Sequence, residues 1–295
     1  MPGLFDVQYA HRLRLLRERL LPLLKHRPPA MAETPSGSEE TPEPESPRPY
    51  SPGDDARAID WNLFARLDRL FVKTMTREEA VPALLLVDVS ASMAEPYPQK
   101  LQQALAMTAA LADLSLALGH PVGIVPWARG PQQLLGPYTG EGELESIFLA
   151  LGSLVPGGVS DLSATLSGIP QLRDYSHARV IVLSDFLFPA DYGRDVESLL
   201  FQGFGVQAVQ IIDDEEADYP LRGNLILVDP ESGREAGIQA DQRLLRRYRK
   251  LFAAHQAAVR EIFVRAGAPL VVVRSGEPFE LATEQFFRTR PQLQG

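Results

Sequence analysis

Short, purely apolar runs recur along the chain and alternate with stretches in which apolar residues return every three or four positions. The clearest run is Ala83-Leu-Leu-Leu-Val87, which carries no polar side chain. A run of this kind reads as a strand buried on both faces, as in the middle of a parallel sheet. Val122–Trp127, Arg179–Leu183, Val206–Ile212 and Pro269–Arg274 read as further strands, and Gln132–Leu135 as a short one. A weaker β pair is predicted around Leu225–Val228 and Gly237–Ile238. Helical spacing predicts a helix over residues 4–26, with Leu13, Leu16, Leu20 and Leu24 as its stripe. A second spans Lys100–Leu118; it is apolar nearly all round, should be buried, and stops at Gly119. Others are predicted at Gly142–Leu151, Leu162–Leu172, Ala190–Leu200 and Asp241–Ala266. The apolar side of the last is Leu244, Tyr248, Leu251, Phe252, Val259, Ile262 and Phe263. Strands alternating with helices predict a Rossmann-like α/β fold, a doubly wound, mainly parallel sheet with helices on both faces.

The pattern lapses between residues 27 and 49. Pro, Glu, Ser and Thr dominate, and the carboxylates Glu33, Glu39, Glu40, Glu43 and Glu45 outnumber the basic residues. Such a segment cannot bury enough apolar surface to offset its ordering entropy, so it reads as a disordered acidic linker. The expected organisation is an N-terminal amphipathic helix (1–26), this linker (27–49), a lead-in segment (50–80), the α/β domain (81–285) and a tail (286–295). In the lead-in, Tyr50 to Trp61 is dense in turn formers and charges, and Leu70–Met75 reads as a strand. Asp54, Asp55, Arg57, Asp60 and Arg66 are placed to pin a loop by ion pairs. The arginines of the first helix read as a solvated basic face on a helix packed against the domain.

Composition narrows the function. The 295 residues suffice for a sizeable core, and the 45% hydrophobic and 23% charged fractions are those of a globular protein. A formal net charge of −9 argues against general affinity for nucleic acid or anionic membrane. The absence of cysteine excludes disulfides, thiolate metal sites and a cysteine nucleophile. No transmembrane-length apolar window and no secretory signal pattern is present, which predicts a cytoplasmic protein.

The candidate chemistry lies in three loops. Asp88, Ser90 and Ser92 follow the first apolar run, Ser160 and Asp161 follow a Pro-Gly-Gly loop, and Ser184-Asp185 ends a later strand. Parallel strands bring these turns to one sheet edge, the edge at which open α/β sheets bind ligands. Asp88, Asp185, Ser90, Ser92 and Ser160 offer two carboxylates and three hydroxyls. That all-oxygen set suits Mg²⁺ or Mn²⁺ and does not suit a soft metal. With so few formal charges the cation stays electron-poor and seeks an acidic side chain from a partner protein.

Asp-x-Ser-x-Ser after an apolar strand, Gly-Gly-x-Ser-Asp-Leu and a strand-final Ser-Asp resemble the metal-ion-dependent adhesion site of von Willebrand factor A domains. Gly53-Asp-Asp-x-Arg-x-Ile-Asp-Trp61 with a downstream Ala-Arg, and Leu227-Val-Asp-Pro-Glu-Ser-Gly233, resemble the domain of unknown function 58 family of bacterial proteins. The resemblance covers about residues 50–285. It implies a von Willebrand factor A-like domain, metal-dependent protein binding through Asp88, Ser90, Ser92, Ser160 and Asp185, and frequent association with MoxR-type AAA+ ATPases that assemble or activate other proteins. Ser160 stands where the family pattern usually has threonine; serine keeps the hydroxyl and loses the methyl that restricts its rotamer. Larger members often carry membrane helices, which are not predicted here, and the acidic linker is outside the family pattern.

Simpler readings stand beside these. Ser and Asp also cap helices and build turns, so Ser160 and Asp161 also fit a helix cap. A Mg²⁺-dependent phosphoryl-transfer enzyme is the first alternative. An aspartyl-phosphate enzyme would want a second Asp two residues after the nucleophile, and Ser90 stands there. The second alternative is nucleic-acid binding through Arg243, Arg246, Arg247, Arg249 and Lys250, which otherwise form a solvated helix face. The five histidines are scattered, no Gly-x-Ser-x-Gly elbow occurs, and His255 reads as a core residue.

Overall fold

A computed structural model describes residues 4–25, 48–50, 61–67, 69–72, 80–128, 133–167, 175, 177–187, 192–217, 223–229 and 233–289. The chain forms two compact units, Met1–Ala30 with Val81–Gly295, and Met31–Ala80. The first unit opens with α1 (Val7–Lys25). The second unit holds β1 (Arg48–Pro49), α2 (Trp61–Leu67) and β2 (Phe71–Val72), with β1 antiparallel to β2. The first unit then resumes with β3 (Ala83–Asp88), α3 (Ala91–Ala94), α4 (Pro98–Ala117), β4 (Val122–Trp127) and β5 (Leu135–Tyr138). After these come α5 (Leu144–Gly152), α6 (Leu162–Ser167), β6 (Arg179–Ser184), α7 (Tyr192–Phe201) and β7 (Gly205–Ile212). The chain continues through α8 (Asp214–Ala217), β8 (Gly223–Val228), β9 (Glu235–Ala240), α9 (Gln242–Arg265), β10 (Leu270–Arg274) and α10 (Phe279–Arg288).

Six strands build the main sheet in the order β10-β7-β6-β3-β4-β5. All neighbours are parallel except β5, which runs antiparallel to β4 at the edge. This is the doubly wound order, and it reverses direction between β3 and β6. β3 is fully buried because both of its faces are covered, and its side chains alternate. Leu85 and Val87 pack with α1, α4, α5 and α10 on one side. Leu84 and Leu86 pack with α6, α7 and α9 on the other. The Rossmann-like, mainly parallel architecture follows from these pairings.

The edge strand is displaced from the expected Gln132–Leu135. Gly136 and Pro137 read as breakers in sequence, yet they lie inside β5. Proline is tolerated there because an edge strand has one row of N–H groups without ladder partners. Gly136 takes φ +103° beside a bulge opposite β4, a conformation that favours glycine. The helix expected from Gly142 begins as a 3₁₀ turn at Glu141–Glu143 before α5.

Helix α1 packs on the unit through Tyr9, Leu13, Leu16 and Leu20, so Leu20 and its neighbours form the expected stripe. Tyr9 donates to the Ala106 carbonyl at 2.7 Å, and its ring lies 4.6 Å from that of Phe279. The α1 arginines are mostly exposed, as expected, and several are also ion-paired. Arg12 forks onto Glu280, Arg17 bridges Asp113 and Glu141, and Arg19 pairs with Glu284. The acids that bind them come from α4, the 3₁₀ turn and α10, none of which is adjacent to the helix in sequence.

Two further expectations change. Arg48 and Pro49, placed in the linker, form β1; the rest of that segment lies outside the described residues, as do Asp54, Asp55, Arg57 and Asp60. Phe286 to Arg288, placed in the tail, are the last turn of α10, and Phe286 is buried in the core.

Candidate functional site

The carboxyl ends of β3 and β6 meet at the reversal of strand order, the edge at which open α/β sheets bind ligands. Asp88 closes β3 and is fully buried. The backbone N–H of Ser90 donates to its Oδ1 at 2.9 Å. Ser184, the last residue of β6, donates to its Oδ2 at 2.6 Å and accepts from the Phe186 N–H. Ser160 donates to both carboxylate oxygens at 3.0 and 2.9 Å.

Ser160 is more than seventy positions from Asp88, and the backbone explains the meeting. Gly157 N–H donates to Val89 O, and Ala91 N–H donates to Gly158 O, so the glycine loop is zipped along the turn after β3. Gly158 has φ +78°, a left-handed conformation that a side chain would strain. Asp161 accepts from Ala164 N–H and caps α6, which is the structural role weighed for it. The hydroxyls of Ser90 and Ser92 lie 3.0 Å apart on the start of α3. Asp88, Ser90, Ser92 and Ser160 thus form one contiguous oxygen cluster.

Asp185 lies at the same edge, but its carboxylate is taken up elsewhere. Oδ1 accepts from Leu187 N–H at 3.0 Å, and Oδ2 accepts from Lys100 Nζ at 2.9 Å. Lys100 also donates to Glu216 Oε1 at 2.5 Å. Lys100 and Asp185 are fully buried and Glu216 nearly so. Burial alone pulls the Lys100 ammonium down, and Asp185 with Glu216 outweigh it, so its pKa sits above the ordinary value. Burial raises Glu216 despite the pull of Lys100. Burial, and then the charge of Asp185, push Asp88 up to about 7.

Lys100 and Glu216 were not singled out as functional from the sequence, and Ser184 was noted only as part of the strand-final Ser-Asp. One signal was there: α4 is apolar all round, and a cation on such a helix needs a buried partner. Its two charged residues are both paired, Lys100 as above and Asp113 with Arg17. The turn that aims Asp185 was not readable. Phe186 holds φ +56°, rare for a bulky residue. Its ring packs on Tyr192 and Phe263, and its carbonyl meets His255 Nε2 at 2.9 Å. His255 is therefore a half-buried strut for this turn, not a core residue.

Chemically, the cluster presents hard oxygen donors, one of them a carboxylate, with a buried Lys-Asp-Glu group beside it. Among the described residues no three His, Cys, Asp or Glu side chains gather as a metal cluster, so a cation here would rest on hydroxyls. No helix among the described residues is long and apolar enough to cross a membrane.

The profile of the family described as "Protein of unknown function DUF58" matches residues 46–258. The chain belongs to the DUF58 family. An uncharacterized protein of Mycobacterium tuberculosis is 27% identical over 255 residues, covering 84% of this chain and 79% of its own. Two solved structures are similar at 18% and 10% identity. The conserved hypothetical protein BatB of Bacteroides thetaiotaomicron has a TM-score of 0.45, with 70% of this chain and 98% of BatB covered. The SpRpn10 VWA domain has a TM-score of 0.40, with 69% and 93% covered. This DUF58 chain has a Rossmann-like, mainly parallel sheet with the oxygen cluster at its switch point.

Proposed function

We propose that the protein is a non-enzymatic, metal-dependent protein-interaction module. Asp88, Ser90, Ser92 and Ser160 hold Mg²⁺ or Mn²⁺, and an Asp or Glu of a partner protein completes the coordination. The observation that supports this reading is the convergence of four oxygen-bearing side chains at the switch point of the sheet: Ser160 is hydrogen-bonded to both Asp88 oxygens, and the Ser90 and Ser92 hydroxyls are hydrogen-bonded to each other. Oxygen donors without sulfur or imidazole suit a hard cation such as Mg²⁺ or Mn²⁺. Asp185 is held beside the site by Lys100, which it shares with Glu216. The bound ion supplies Lewis acidity for an incoming carboxylate. A MoxR-type AAA+ ATPase is the partner that the family resemblance puts first.

Isothermal titration with MgCl₂ tests the metal. Binding should be lost in Asp88→Asn and weakened about 10-fold or more in Ser90→Ala and Ser160→Ala, each leaving the far-UV circular dichroism unchanged. A purified MoxR-type ATPase should then be retained on the immobilised chain in Mg²⁺ and released by EDTA. Unchanged heats in the Ser variants would overturn the donor assignment. Turnover of a generic phosphate ester that disappears in Asp88→Asn would replace the module with a phosphoryl-transfer enzyme.

A further inference from the structure

The metal-site reading leaves one charged group without a part, the ammonium of Lys100. It stands on the first turn of α4, is fully buried, and reaches 2.9 Å to Asp185 Oδ2 and 2.5 Å to Glu216 Oε1. Asp185 is the carboxylate next to the oxygen cluster. It follows Ser184, whose hydroxyl lies 2.6 Å from Asp88 Oδ2, and burial and then the charge of Asp185 push the Asp88 carboxyl up. Both Asp185 oxygens are nonetheless engaged away from the cluster. Oδ1 accepts from the Leu187 N–H and Oδ2 accepts from Lys100.

Two consequences bear on any second cation at this edge. A fixed positive charge in a site shielded from water repels another cation far more strongly than it would across solvent. The Asp185 oxygen that holds Lys100 is also not free to face the cluster. Glu216 works in the opposite sense, because it draws on the same ammonium and so loosens the hold of Lys100 on Asp185. Glu216 is anchored independently of the cluster. Its Oε2 accepts from the Asp213 N–H at 3.3 Å, and its carbonyl accepts from the Tyr248 hydroxyl at 2.8 Å. A lysine whose task was only to neutralise buried acids would leave metal affinity unchanged, or lower it, when removed. A lysine that opposes the metal would raise it.

We propose that Lys100 is a positioning residue that restrains the metal site: its ammonium holds Asp185 off the oxygen cluster and opposes a cation there, so the chain binds Mg²⁺ more weakly than its oxygen donors allow. Glu216 relaxes the restraint by sharing the ammonium. This inference rests on the metal-site reading above and concerns what sets the affinity of that site.

The test is calorimetric titration of the full chain with MgCl₂ at pH 8, beside circular-dichroism melting with and without Mg²⁺. Lys100→Met should bind Mg²⁺ at least about 10-fold more tightly than the parent, because the opposing charge is gone and a carboxylate is released. Adding Asp185→Asn to Lys100→Met should cancel most of that gain. Mg²⁺ should raise the melting temperature of Lys100→Met by more than that of the parent, since tighter binding to the folded state stabilises it more. Glu216→Gln keeps the Lys100–Asp185 pair and should bind about 3-fold or more weakly. It carries the test if Lys100→Met does not fold. Structural damage alone weakens binding in both variants and cannot give opposite signs. Equal or weaker binding in a folded Lys100→Met, or unchanged or tighter binding in Glu216→Gln, overturns the proposal, while binding by the parent that is lost in Asp88→Asn leaves the metal site itself standing. Heat from Lys100→Met with none from the parent supports the restraint. Heat from neither sinks the metal-site reading and the proposal together.

Discussion

Replacing Lys100 by Met keeps the length and apolar stem of the side chain and removes its charge from between Asp185 and Glu216. Nζ lies 2.9 Å from one carboxylate and 2.5 Å from the other, and the lysine is fully buried. Removing the cation strands two acids in a site that water does not reach. Breaking a buried pair in this way costs about 3–5 kcal/mol. Thermal midpoints of chains this size move about 2–4 °C per kcal/mol, so the melting temperature should drop by roughly 6–20 °C. The loss should depend on pH with a definite sign. Burial already raises the Glu216 carboxyl in the parent, and the variant removes the cation that pulled it down, so the fold is least affected where Glu216 is protonated and loses stability as pH rises above its unfolded value toward its folded one. The gap to the parent should therefore be small near pH 5 and wide at pH 8. Adding Glu216→Gln should recover part of it, because one stranded charge becomes neutral. The assay is circular-dichroism melting of the full chain at both pH values in EDTA. A variant that melts within about 2 °C of the parent at pH 8, or whose deficit is the same at both pH values, would refute the reasoning.

Other outcomes follow from the same coordinates. Asp88 titrates near 7 and must be ionised to hold a cation, so Mg²⁺ affinity measured by calorimetry should fall progressively, toward tenfold per pH unit, once the pH drops below about 7. A flat profile between pH 5.5 and 8 would count against Asp88 as a ligand. Gly123→Ala places a Cβ 2.8 Å from the Tyr175 hydroxyl and 3.0 Å from Leu84, so urea unfolding should show a loss of about 1–3 kcal/mol; an unchanged midpoint would mean that Tyr175 yields freely. Arg17→Met leaves the buried Asp113 carboxylate without its partner and should cost about 1–3 kcal/mol, largely restored by Asp113→Asn in a double-mutant cycle.

How much of this could be read from sequence depends on range. The central strands were legible because Leu84 to Val87, buried on both faces, can carry no polar residue. Parallel order then follows from alternation, and it places Asp88 and Ser184 at one edge. What failed was pairing over distance. Nothing local to Lys100 names Glu216, and nothing in the arginines of α1 names Glu280 or Glu284. α10 was missed although Phe279, Ala282, Thr283 and Phe286 repeat at helical spacing. The polar Thr283 takes a buried position in that run. Thr283 answers its own burial by donating to the Phe279 carbonyl.

The pairing of α1 with α10 has a practical consequence for anyone cutting the gene. A fragment begun at residue 81 would lose a wall of the building: the surface that Tyr9, Leu13, Leu16 and Leu20 cover would lie bare, and Glu280, Glu284 and Asp113 would face water together as an orphaned acid patch. The shortest piece worth expressing therefore starts before Val7 and carries through Arg288, with the intervening Met31–Ala80 unit riding along as an insert.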